Sequence, residues 1–100
     1  MPAIREVVKR TGAVVPFSRQ RISNAIYRAA VAVGGRDRAL AEHLADRVVS
    51  ALELETPEGT TPTVEDIQNV VEKVLIEEGH ARTAKAYILY RDQRARMREE

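Results

Sequence analysis

There is no cysteine or tryptophan in this 100-residue chain, and only one phenylalanine and three tyrosines. Without thiols, disulfides, cysteine-ligated zinc, iron–sulfur clusters and thiol catalysis are excluded. With so few rings, the core has to be built from Val, Ile, Leu and Ala, which favours closely packed helices. No apolar run approaches the roughly 18 residues that span a bilayer. The first residues, Met1-Pro2-Ala3-Ile4-Arg5-Glu6, lack the basic-then-apolar order of a signal peptide. The expectation is a soluble, cytoplasmic domain with no membrane contact. Its 44% apolar and 31% charged residues are those of a folded chain, and its length suits one compact domain rather than two.

Catalytic motifs are also missing. His43 and His80 are the only histidines and belong to no metal-ligand spacing, and no glycine-rich phosphate loop of the usual patterns occurs. No serine has a plausible histidine partner. The chain reads as a non-catalytic domain with no metal ligands of its own.

The net charge of +1 hides a segregation. Residues 1–35 hold six Lys/Arg against one acid, residues 36–79 four against eleven, and residues 80–100 six against three. This layout predicts that both ends fold toward one positive surface while the middle forms an acidic face.

Two short β-branched runs, with strands expected at about 6–10 and 13–17, flank Thr11-Gly12, where Gly12 permits the positive φ of a tight hairpin. Four helices are expected at about 19–33, 37–54, 64–78 and 81–98. Ser18 is a good N-cap for the first, whose inner stripe is Ile22, Ala25, Ile26, Ala29, Ala30 and Val33. Leu40, Leu44, Ala45, Val48 and Leu52 form the second stripe. Thr56 to Pro62, with two prolines and a glycine, is a loop. Thr63-Val64-Glu65-Asp66 approximates a capping box ahead of Ile67, Val70, Val71, Val74 and Leu75. Ala84, Tyr87, Ile88 and Arg91 lie along one face of the fourth helix. The predicted fold is mainly α with a small β part, an N-terminal β-hairpin capping a four-helix bundle.

Phosphate-binding groups are concentrated near the start. Lys9 and Arg10 close the first strand, and the amides of residues 19–21 lie at the positive end of a helix. Arg21 stands where a capping box would carry glutamate, so it opposes the helix dipole unless it meets an anion. Lys9, Arg10, those amides and Arg21 together form a candidate polyphosphate site. In the fourth helix, Lys85 and Arg91 flank Tyr87 and Tyr90, a spacing that suits core or rim tyrosines better than a stacking platform.

Several blocks, in order from about residue 4 to residue 96, resemble the ATP-cone domain. They are Val7-Val8-Lys9-Arg10-Thr11-Gly12; Val15-Pro16-Phe17-Ser18 with Arg21-Ile22; Pro62 to Gln68; and Glu78-Gly79-His80 with Ala84 to Arg91. The resemblance implies a β-ribbon on a four-helix bundle that binds ATP or dATP, with Mg²⁺ shared, and acts as an allosteric switch. Such domains sit mostly in ribonucleotide reductases, and also in a transcriptional repressor of reductase genes and in some kinases. It implies that Lys9, Arg10 and Arg21 hold the phosphates. Val8, Phe17, Ile22 and Ile26 would line the pocket. Thr63, Val64, Ile67 and Gln68 would approach the base or sugar, with further charge from Lys85 and Arg91. Thr11, Ser18 and Arg21 depart from the family's usual residues, which bears on nucleotide preference rather than on phosphate binding.

The resemblance also implies partners: an adenine nucleotide, and a regulated enzyme domain or subunit. The repressor's cysteine zinc ribbon and the reductase's cysteine radical cannot reside in a chain without cysteine. A regulatory domain or a free-standing sensor acting through a partner is therefore expected. Without ligand, the clustered cations are expected to repel one another and leave the ribbon mobile. Two competing readings are nucleic-acid binding through the basic run Arg91 to Arg98, and a bundle used only for homo-oligomer assembly.

Overall fold

The computed structural model describes residues 4–99, with side chains as far as residue 93. Two short strands, β1 (Glu6–Val8) and β2 (Val14–Pro16), pair antiparallel with Val7 opposite Val15. The connection is a three-residue loop, Arg10-Thr11-Gly12. The Lys9 carbonyl accepts from the Gly12 amide at 2.8 Å and the Lys9 amide donates to the Ala13 carbonyl at 2.8 Å. Gly12 has φ +89°, the left-handed position such a loop requires. The strands are shorter than the expected 6–10 and 13–17, so Arg10 sits in the turn instead of closing β1.

Such a hairpin is marginal alone, and this one is tied down. The Val8 amide donates to the Pro62 carbonyl at 3.0 Å, and Val8 forms a parallel bridge with Thr63. β1 is therefore held on one side by β2 and on the other by the segment leading into the third helix.

Four helices follow: α1 (Arg19–Ala32), α2 (Arg38–Glu55), α3 (Val64–Glu77) and α4 (Ala81–Glu99). Ser18 caps α1 by accepting from the Arg21 amide, and Asp37 caps α2 by accepting from the Leu40 amide at 3.0 Å. Thr63 and Asp66 form a reciprocal capping box on α3. The α3–α4 link turns at Gly79 (φ +86°), where the His80 amide reaches the Leu75 carbonyl at 2.8 Å. This satisfies a carbonyl the helix end would otherwise orphan. α1 and α3 each touch both α2 and α4, so the helices stand at the corners of a square. The fold is mainly helical, with a small N-terminal hairpin on a four-helix bundle.

Ile22, Ile26 and Ala29, then Leu44, Val48 and Leu52, then Val70, Val71, Val74 and Leu75, with Ala84 and Tyr87, fill the centre. The α2 stripe starts on Ala41 (2% exposed), while Leu40 is 36% exposed, contrary to the sequence expectation. Ala41, Ala45, Val48 and Leu52 recur at steps of four and three, and Leu40 lies about 100° off that line. Ser23 is fully buried among the apolar residues, unforeseen from the sequence.

Candidate functional site

A cleft of about 220 Å³ opens between the hairpin, the N-terminal turns of α1 and α3, and the middle of α4. Each helix contributes one face at helical spacing: Ser18, Arg21, Ile22 and Ala25 around α1, Val64, Ile67 and Gln68 on α3, and Tyr87, Tyr90 and Arg91 on α4. The hairpin adds Val7, Lys9, Arg10, Val15, Pro16 and Phe17. The apolar lining comes from all four elements. Lys9, Arg10, Arg21 and Arg91 bring four cations, drawn from both basic ends of the chain.

Of the residues expected from the sequence, nine line this cleft: Lys9, Arg10, Phe17, Arg21, Ile22, Val64, Ile67, Gln68 and Arg91. Four do not. Successive strand side chains point to opposite faces, and in β1 it is Val7 (6% exposed), not Val8, that turns to the bundle. Ile26 lies one turn beyond Ile22, inside the core at 1% exposure. Thr63 has its hydroxyl committed to the Asp66 amide at 3.1 Å. Lys85 is exposed, two residues before Tyr87 and therefore on the other side of α4.

The tyrosines act as wall and rim. Tyr87 is buried, and burial pushes its phenol above the ordinary range. Tyr90 is half-buried and accepts from Arg28 Nη1 at 3.2 Å.

The cations differ in what already holds them. Arg10 Nε donates to Glu65 Oε2 at 2.7 Å, and Arg91 Nη1 donates to Glu72 Oε2 and to Asn69 Oδ1. Lys9 and Arg21 have no carboxylate partner among the described residues. The expectation that Lys9, Arg10 and Arg21 simply repel one another is thus corrected for Arg10, whose charge is met by Glu65. The acidic middle segment meets the basic ends across the cleft wall. In the competing basic run, the side chains of Arg94, Arg96 and Arg98 lie outside the described residues, and Arg91 turns inward to Glu72.

One polar atom stands out. Gln68 Oε1 is buried and has no hydrogen-bond partner, a state that is costly unless a ligand or water supplies a donor. A site that places an orphan acceptor beside apolar walls, with cations around it, suits a ligand with a flat donor-bearing group and an anionic tail. No group of three or more His, Asp or Glu that would hold a metal ion occurs among the described residues.

Behind the cleft, an ion cluster fixes α1 to α2. Arg19 spends its whole fork on α2, with Nη1 to Glu42 Oε1 at 2.7 Å, Nη2 to the Glu42 carbonyl at 3.0 Å and Nε to Asp46 Oδ1 at 2.6 Å. Ser23 Oγ donates to Glu42 Oε2, and Arg38 Nε reaches the same oxygen at 3.2 Å. The Ser23 hydroxyl first, then Arg19 and Arg38, hold the Glu42 carboxyl at about 2, against an ordinary 4.5. A depressed carboxyl stabilises the fold above its unfolded value, and that contribution disappears as pH falls toward the folded value. Urea midpoints are expected to drop between pH 4.5 and pH 2, and Glu42→Gln is expected to flatten that part of the profile. An unchanged slope in the variant would assign the acid sensitivity to other carboxylates.

The sequence reading missed Val7, Val15 and Tyr87 as cleft walls, and Glu65, Asn69 and Glu72 as partners of its cations. For Val15 a signal existed: it shares strand parity with Phe17. For the acids there was none, because Arg10 and Glu65 lie 55 positions apart.

Comparison with known proteins accords with this geometry. The description of the ATP cone domain matches residues 5–96. A vitamin B12-dependent ribonucleoside-diphosphate reductase of Thermoplasma acidophilum is 47% identical over 102 residues, covering 97% of this chain and 13% of that protein. A ribonucleoside-diphosphate reductase subunit alpha of Chlamydia muridarum is 35% identical, covering 93% of this chain and 10% of its own length. An anaerobic ribonucleoside-triphosphate reductase of Escherichia coli is 38% identical, with 94% and 13% covered. This chain therefore spans only a small part of these relatives.

Proposed function

The chain belongs to the ATP-cone family, and from that premise we propose that it is a nucleotide-sensing regulatory domain whose cleft binds ATP or dATP. The observation that carries the reading is the convergence of Lys9, Arg10, Arg21 and Arg91 on one apolar cleft that also holds the orphan Gln68 Oε1. Phe17, Ile22 and Ile67 offer the base an apolar seat. The exocyclic amine of adenine supplies the donor that Gln68 lacks, whereas the O6 carbonyl of guanine would set acceptor against acceptor. The phosphates then lie among the exposed cations at the mouth, where Arg forks and the Lys ammonium suit phosphate oxygens. Any Mg²⁺ is carried by the phosphates.

The domain performs no chemistry in this reading. Its output is a change of surface that a regulated partner senses, because a ligand shifts an equilibrium only through its differential affinity for two states. Given the reductase names of the relatives, the partner is a ribonucleotide reductase, as a domain of the same polypeptide or as a separate subunit. Isothermal titration with Mg²⁺ present is expected to give saturable heat for ATP and dATP and much weaker binding for GTP. No heat with any adenine nucleotide would overturn the assignment.

A further inference from the structure

The four cleft cations are held in different ways, and Arg91 is distinctive. Its ion pair with Glu72 is the most enclosed among the described residues, with side chains 18% and 21% exposed. Both of its protein contacts, to Glu72 Oε2 and to Asn69 Oδ1, use the same nitrogen, Nη1. The Nε–Nη2 edge of the guanidinium has no partner among the described residues. Two parallel donors on an unengaged edge match the oxygens of a phosphate. Arg19 provides the contrast: each of its three nitrogens already donates to α2, so it has no wholly unengaged edge.

Glu72 stands one turn beyond Gln68 on the same face of α3, Asn69 follows Gln68 directly and lies about 100° further round the helix, and neither lines the cleft. They touch the ligand site only through Arg91. A long side chain on α4 has many rotamers, and ordering it costs conformational entropy when nothing holds it beforehand. Anchoring one nitrogen from behind removes part of that cost before a ligand arrives.

We infer that Glu72, assisted by Asn69, is a positioning residue: it grips Arg91 by Nη1 so that the Nε–Nη2 edge is presented to a phosphate of the bound nucleotide. The inference rests on the nucleotide reading above and names a residue through which that site is set. It follows that Glu72 acts on the anionic part of the ligand and not on the base.

The test is a titration series on the whole chain with ATP and with adenosine. Glu72→Ala is expected to weaken ATP about tenfold, equivalent to about 1.4 kcal/mol, and to leave adenosine unchanged. Glu72→Gln keeps an oxygen that accepts from Nη1 and is expected to stay within about threefold of wild type for ATP. In an Arg91→Ala background, Glu72→Ala is expected to cost nothing further, since the residue it positions is gone. Equal weakening of adenosine and ATP, a loss in Glu72→Gln as large as in Glu72→Ala, or a loss that persists without Arg91 would each overturn the positioning role. So would unchanged or tighter ATP binding by Glu72→Ala. Those outcomes leave wild-type ATP binding intact. A wild type that binds no ATP would overturn the nucleotide reading itself, and this inference with it.

Discussion

Replacing Lys9 and Arg21 together by alanine is expected to abolish the rise in melting temperature that ATP produces. A ligand at a hundred times its dissociation constant stabilises the folded state by about 2.7 kcal/mol. For a domain of this size each kcal/mol moves the melting point by roughly 4–8 °C, so the wild-type shift is on the order of 10–20 °C. Each charge-assisted contact to phosphate contributes roughly 1.5–3 kcal/mol. Losing two of them raises the dissociation constant more than a hundredfold and reduces the shift to about 2 °C or less. Neither side chain has a carboxylate partner among the described residues. The unliganded melting point is therefore expected to move little, as is usual for exposed positions. That separation makes the measurement decisive: a double variant with an unchanged ATP shift places the phosphates elsewhere.

The second large effect concerns the frame. Leu75 is fully buried where α3 meets the centre of the bundle. Leu75→Ala removes about three methylene equivalents and leaves a cavity that the square of helices cannot fully close. The expected loss is about 3 kcal/mol, a large fraction of the stability of any domain this small. Urea unfolding is expected to show the midpoint falling with its slope unchanged. Leu75 lies two turns beyond Ile67 and outside the cleft, so ATP affinity measured well below the melting point is expected to survive. A parallel loss of affinity would mean that core packing and cleft geometry are coupled through α3.

The contrast between these sites bears on what the sequence disclosed. The helices were legible because each carries its own punctuation: Ser18, Thr63 with Asp66, and Gly79 act within a few residues of themselves. The α3 stripe was legible because Val70, Val71, Val74 and Leu75 repeat at the helical period. The start of the α2 stripe was misread, since Leu40 and Ala41 are both apolar and only packing decides between them. In β1 the adjacent Val7 and Val8 give no alternation, so nothing local reveals which one faces inward. Lys9, Arg10 and Arg21 were visible as a cluster of like charge that a folded chain needs a reason to keep. The carboxylates that hold Arg10 and Arg91 were not visible, because those pairings exist only after distant segments meet. The burial of Gln68 Oε1 is likewise a property of the assembled cleft.

The hydrogen bond from the Val8 amide to the Pro62 carbonyl makes the ribbon and the entrance of α3 a single mechanical linkage. A flap that lifts with Lys9 and Arg10 at its tip must either snap that joint or drag the Pro62–Thr63 peptide along. In the second case the pull arrives at the capping box, so displacement of a few residues at the rim is geared directly into the axis of a helix whose far end contacts the rest of the bundle.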